Sequence, residues 1–146
     1  MMRAIMGLAL ALLLALPAQA GETKLAEPKP DWNKPRRIVL QMSQAERADA
    51  ILTNAVNLQK FYGQDNVKIA LVAYGNGVRA LLKDESKVAA RIQSLKQYEV
   101  EFVACGNTLE TIGKKEADLL PGVTSTSTGL AEITERALSG WTVLVP

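Results

Sequence analysis

The chain holds a single cysteine, Cys105, in the stretch VEFVACGNTLETIG at 100–113, and no histidine anywhere in its 146 residues. That combination narrows the chemistry. Without histidine there is no Ser-His or Cys-His couple to activate a nucleophile, and the commonest metal ligand is missing. A lone thiol can still carry or exchange sulfur, because a thiolate needs only an electrophilic sulfur to attack. The residues that follow favour the thiolate. Gly106-Asn107-Thr108 reads as the start of a short helix from Thr108 to about Gly113, capped by Asn107. The free amides and dipole of such a helix lower a thiol below its free value of ~8.5. Gly106 would let a ligand approach the sulfur closely. The opposing reading is an inert, buried small hydrophobe, a common fate of free cysteines.

A second candidate is Gly75-Asn76-Gly77-Val78-Arg79-Ala80, which matches G-x-G-x-x-A between a strand and a helix. The dinucleotide fingerprint it resembles expects an acidic residue near the end of the next strand, where this chain has Ala104-Cys105. Two other readings stand beside it: a tight turn that needs positive φ at a glycine, and a set of amides that binds a small anion beside the thiol. Met42, at the end of an earlier strand, is the one thioether placed to join Cys105 as a soft ligand. No metal centre or bound cofactor is expected from these residues.

The elements that must position these groups alternate. RIVLQM at 37–42 reads as a buried strand, and Ser43-Gln44-Ala45-Glu46 fits a capping box for a helix that ends at Gly63. VKIALVAY at 67–74 is a second strand, apolar on both faces. A helical stretch from Val78 follows, broken or re-capped near Asp84, and residues 100–105 form a third strand. A very short strand near Val123 and a clear amphipathic helix capped by Ser127 or Thr128 lead to a closing strand at 141–145. Strands apolar on both faces, alternating with helices, imply an α/β fold: a mostly parallel sheet of four to five strands with helices on both faces, layered like flavodoxin. In such a sheet ligands sit beyond the carboxyl ends of the strands, which is where Met42, Gly75-Asn76-Gly77 and Cys105-Gly106-Asn107 fall.

The flanks and the charge balance bound the setting. MMRAIMGLALALLLALPAQA at 1–20 reads as a cleaved signal peptide, with an apolar run too short to span a membrane and a small-x-small triplet at 18–20. Periplasmic or secreted localisation follows, with no membrane attachment after cleavage. Residues 21–35 hold three prolines and no apolar period, and read as an extended N-terminal arm. The domain proper then runs over 36–146. Without the first twenty residues, 16 basic residues face 15 acidic ones. That balance argues against a nucleic-acid partner, which needs a basic surplus on one face.

The opening strand with S-x-A-E, the YGNGV turn after the second strand and ACGNTL after the third together resemble the DsrE/DsrF-like (YchN-like) family. The resemblance implies a small α/β domain that assembles into a homotrimer or hexamer. It also implies a cysteine after the third strand, here Cys105, that carries sulfur as a persulfide between donor and acceptor proteins. Two features depart from the relay members: the export signal, and Gly-Asn-Thr after the cysteine where those proteins have small apolar residues. The expectation is an exported sulfur carrier or thiol-redox protein more than a turnover enzyme. Its rival is a small-anion or soft-metal binding module at the strand edge, using Gly75, Asn76, Gly77, Gly106, Asn107 and Met42.

Overall fold

The computed structural model describes residues 30–146. The expected signal segment and most of the arm lie outside the described residues. The described end of the arm makes a tight turn in which the Asp31 carboxylate accepts from the Asn33 and Lys34 amides at 2.9 Å each, leaving Trp32 exposed.

Five strands form one sheet: β1 (Arg36–Met42), β2 (Val67–Ala73), β3 (Glu101–Cys105), β4 (Thr124–Thr126) and β5 (Thr142–Leu144). All pairings are parallel, and the order is β4-β3-β2-β1-β5. β2 is buried at six of its seven positions, as a strand covered on both faces must be.

The helices divide unequally between the faces. α1 (Ala48–Tyr62), a 3₁₀ segment (Gly75–Leu81), α2 (Ala89–Gln97) and α3 (Gly106–Thr111) contribute Ile51, Leu81, Ile92 and Leu109 to the main core, against Leu40, Ile69 and Phe102 of the sheet. The opposite face has a small cluster, Val39, Val72 and Val103 under Ile133 of α4 (Gly129–Leu138). Among the described residues no helix is long and apolar enough to cross a membrane.

Three local expectations are corrected. The capping box at Ser43 does not form: the chain enters α1 through a 3₁₀ turn (Ala45–Arg47), and the Glu46 carboxylate accepts instead from Asn76 Nδ2 at 3.1 and 3.2 Å. The helix expected from Val78 is a 3₁₀ segment that ends at Leu81, because Leu82 turns extended to bridge Leu119. The Leu120 amide donates to the Leu81 carbonyl at 2.8 Å, and the Lys83 amide to the Asp118 carbonyl at 2.9 Å. Finally, α3 begins at Gly106 with Cys105 itself as the N-cap residue, so Asn107 lies inside the first turn and caps nothing.

Candidate functional site

The parallel sheet delivers the ends of β2, β3 and β4 to one edge, and three loops meet there. β3 lies between β2 and β4, with Cys105 paired in register to Thr126. The chain turns from Cys105 directly into α3, and from Thr128 into α4, so the first amides of both helices converge near the sulfur. How closely α4 approaches is measured by Gly129: a Cβ there would lie 3.0 Å from Cys105 Cβ and 3.3 Å from Tyr74 Cβ. Glycine lets this helix start against the thiol without displacing either neighbour.

Cys105 is 5% exposed. Burial pushes its thiol up, and this is outweighed by the donors around it: the Gly129 N–H, the Thr108 hydroxyl and N–H, and the Asn107 N–H. The net result is a thiol that titrates below its ordinary value. The leading influences are all uncharged. Hydrogen bonds to the charged form favour it even where solvent is excluded.

Thr108 ties this pocket to the next loop. Its Oγ1 accepts from the Gly75 amide at 3.1 Å. Gly75 has φ +54°, the tight-turn geometry expected of a glycine at that position. Beside this contact opens a cleft of about 400 Å³ lined by Gly75, Asn76, Arg79, Asn107, Thr108 and Thr111. Arg79 supplies its cation and is paired to Glu85 at 2.5 Å.

The sequence-derived site residues therefore separate. Gly75, Asn76 and Asn107 line the cleft, next to the thiol. Gly77 does not: it is buried against β1, where its amide donates to the Ser43 carbonyl at 2.9 Å and the Tyr74 carbonyl at 3.1 Å. The amides of Gly75 and Gly77 are thus committed inside the fold, and an anion in the cleft would be met by side chains. Met42 is 1% exposed, its side chain enclosed in the main core, while its carbonyl accepts from the Tyr74 amide at 3.1 Å. The open flank of Gly106 faces β4 and not a ligand, since a Cβ there would lie 2.8 Å from the Thr126 carbonyl oxygen. Asn107 fastens the loop between β4 and α4: its amide donates to the Ser127 carbonyl at 3.0 Å and its Nδ2 to Thr128 Oγ1 at 3.1 Å.

Sequence reasoning missed Thr108, Arg79 and Gly129. A glycine at the first position of an otherwise well-formed amphipathic helix was the available signal for Gly129, because small residues there mark a close approach.

Comparison with known proteins agrees with this architecture. The chain is similar to the protein of unknown function MTH1491 from Methanobacterium thermoautotrophicum, with 33% identity and a TM-score of 0.72 over 76% of this chain and 99% of that one. The ychN protein from E. coli has 21% identity and a TM-score of 0.66 over 76% and 99% of the two chains. BT1422 from Bacteroides thetaiotaomicron, a conserved protein of unknown function, has 17% identity and a TM-score of 0.60 over 75% and 94%. These last two show the shared fold. No curated relative matches. The model of the DsrE/DsrF-like family matches residues 30–146, the whole of the described domain. With its parallel sheet and the solved structures that share it, the chain belongs to the DsrE/DsrF-like family.

Proposed function

We propose that this protein is an exported, oligomeric sulfur-handling member of its family, in which Cys105 receives a sulfane sulfur and passes it on, or undergoes thiol redox chemistry of the same kind. The observation that carries the reading is the environment of the sulfur: a thiol at the N-cap of α3 and against the first residue of α4, held below its ordinary pKa by uncharged donors in spite of burial. In the transfer step the Cys105 thiolate attacks the outer sulfur of a donor persulfide. The new S–S bond forms as the donor's S–S bond breaks, and its electron pair leaves with the donor thiolate. The sulfane sulfur keeps its oxidation state, so no further oxidant or histidine base is required.

Oligomerisation is part of the proposal. α4 and the closing strand carry large apolar groups to the surface, with Leu138 77% and Val145 75% exposed and Leu130 and Leu144 near them in sequence also exposed. Exposed apolar groups of this size favour burial against another subunit. A trimer or hexamer would cover them.

The test is the intact mass of native protein purified from the exporting compartment. A fraction heavier by one sulfur atom on wild type, absent from Cys105→Ser, is expected, on a chain that starts at Gly21. Persulfide-treated protein that never gains sulfur at Cys105 overturns the reading. The cleft beside Arg79 favours a second reading, a small-anion binding module without covalent chemistry. That reading predicts anion affinity unchanged in Cys105→Ser.

A further inference from the structure

Two surface features play no part in the chemistry of Cys105. The first is a knob. Trp32 is 72% exposed, yet the turn that carries it is closed: the Lys34 amide donates to the Asp31 carbonyl at 3.1 Å and to its carboxylate at 2.9 Å, where the Asn33 amide joins it. An indole held out to water on an ordered turn is the kind of side chain that anchors interfaces. The second is a hole. β5 is an outer strand of the sheet, and between it and α1 an apolar pocket of about 460 Å³ stands open. Leu40, Leu58, Leu144 and Val145 wall it, and Asn54 and Asn57 stand in the same lining. An indole needs apolar walls and one acceptor for its N–H, and an asparagine carbonyl is such an acceptor. The cleft between α1 and α2 suits it less, with Lys60, Arg91, Gln59, Gln64 and Ser94 in its lining.

Within one chain the knob and the hole do not meet. The turn lies before the start of β1, while the pocket lies around Leu40, about 13 Å further along that strand, and Trp32 is not among the residues that line it. This chain also has residues beyond the shared domain: MTH1491 and the ychN protein are matched over 99% of their own length but 76% of this chain. Trp32 stands ahead of the first strand, on the chain's way into that domain. We propose that Trp32 of one copy seats in the pocket between α1 and β5 of a second copy of this chain, its indole N–H donated to Asn54 or Asn57 of the partner subunit. This rests on the reading of the protein as an oligomer and names a contact that builds it. The contact is heterologous, since knob and hole are different surfaces, and such contacts close into rings when the rotation allows. Three copies closed in this way make a trimer. One indole supplies about 150–250 Å² of the roughly 1,200 Å² or more that a stable interface buries, so Trp32 is an anchor within a wider contact.

The experiment combines sedimentation with indole fluorescence. Fluorescence is read in Trp141→Phe, which leaves Trp32 as the one tryptophan and keeps an aromatic ring under Arg136. Over a dilution series, Trp32 emission should be blue-shifted and shielded from acrylamide in the assembled protein, and should move to that of a water-exposed indole as the copies part. Trp32→Ala should weaken association about thirtyfold or more, the loss typical of an interface anchor. Val145→Asp puts a charge on the pocket wall at a residue exposed in the single chain, so this variant should fold and should likewise fail to assemble. Mixing the two variants tests the pairing itself, because one keeps the hole and the other the knob: they should pair with each other although neither assembles alone. A Trp32 that stays water-exposed in assembled protein, or a Trp32→Ala that assembles as tightly as wild type, overturns the contact and leaves the oligomer standing. Variants that both dissociate and do not pair when mixed overturn the choice of pocket. An indole shielded in a monomer means that the turn folds back on its own domain, which also overturns the contact. A wild type that is monomeric at every concentration with Trp32 exposed sinks the contact and the oligomeric reading together.

Discussion

Replacing Gly77 by alanine separates a structural turn from a nucleotide-binding one. The Cβ of an alanine would lie 2.0 Å from the Met42 carbonyl oxygen, 2.6 Å from its carbon and 3.1 Å from the Ser43 carbonyl carbon. Heavy atoms rest about 3.5–4.0 Å apart, so the 3₁₀ segment and the end of β1 must part by more than about 1 Å. Neither side can give way cheaply. Met42, Val78 and Leu81 are buried core residues, and the obstructing atoms are backbone. Overpacking of this kind costs about 1–3 kcal/mol, and parting the segments also strains the Gly77 N–H···O=C Ser43 bond, worth about 1 kcal/mol. The sum is roughly 3 kcal/mol, a large share of the total of about 5–15 kcal/mol that holds a domain together. Helix propensity offers little in return, since the ~1 kcal/mol preference for alanine belongs to α-helix interiors and this segment is 3₁₀. With a urea slope of about 1–3 kcal/mol/M, the unfolding midpoint of Gly77→Ala should fall by roughly 1–3 M. In a dinucleotide site the same glycine would serve the ligand, and alanine would spare the fold. A midpoint within about 0.3 M of wild type refutes the packing argument.

Two further outcomes are expected. Asn107→Ala removes the Nδ2 contact to Thr128 Oγ1 but keeps the residue-107 amide, so native alkylation of Cys105 should quicken severalfold at fixed thiolate fraction with its pH midpoint unmoved; a raised midpoint in the rate–pH profile would mean that Asn107 holds the amides in place after all. The stability difference between wild type and Cys105→Ser should grow in favour of wild type as pH rises from the depressed folded pKa of the thiol towards its free value of ~8.5, and should be lost again as pH falls through the folded pKa. A depressed pKa means that the unfolded chain binds more protons in that window, which fixes the sign, and urea midpoints that run parallel across it contradict the assignment.

The strands were legible because their signal is local. Val67–Ala73 is apolar at almost every position, and a short run of that kind between turn residues has few alternatives to a strand covered on both faces. The location of Cys105 at a strand end followed from the same runs. What escaped depends on partners distant in sequence. Leu82 leaves its helical period because Leu119 pairs with it, 37 residues later. Asn107 is the better cap by residue preference, yet α3 starts two residues early, with Gly106 packed on the Thr126 carbonyl and the Asn107 amide given to Ser127. Gly129 and Thr108 likewise acquire their significance only where three strand ends meet.

That meeting place also explains how a thiol can be buried and still favour its ionised form. Desolvation alone would keep Cys105 protonated, as in any apolar core. A cation beside it would reverse this at long range and fade with salt. Here the balance is tipped by neighbouring N–H and O–H dipoles, led by the Gly129 amide and followed by those of residues 108 and 107, at the beginnings of two helices. Dipoles of that kind act at short range and depend on the position of α4 more than on ionic strength. An added methyl at Gly129 would require Cys105 or Tyr74 to give by a few tenths of an ångström, and any shift of α4 that accommodates it weakens the leading donor to the sulfur.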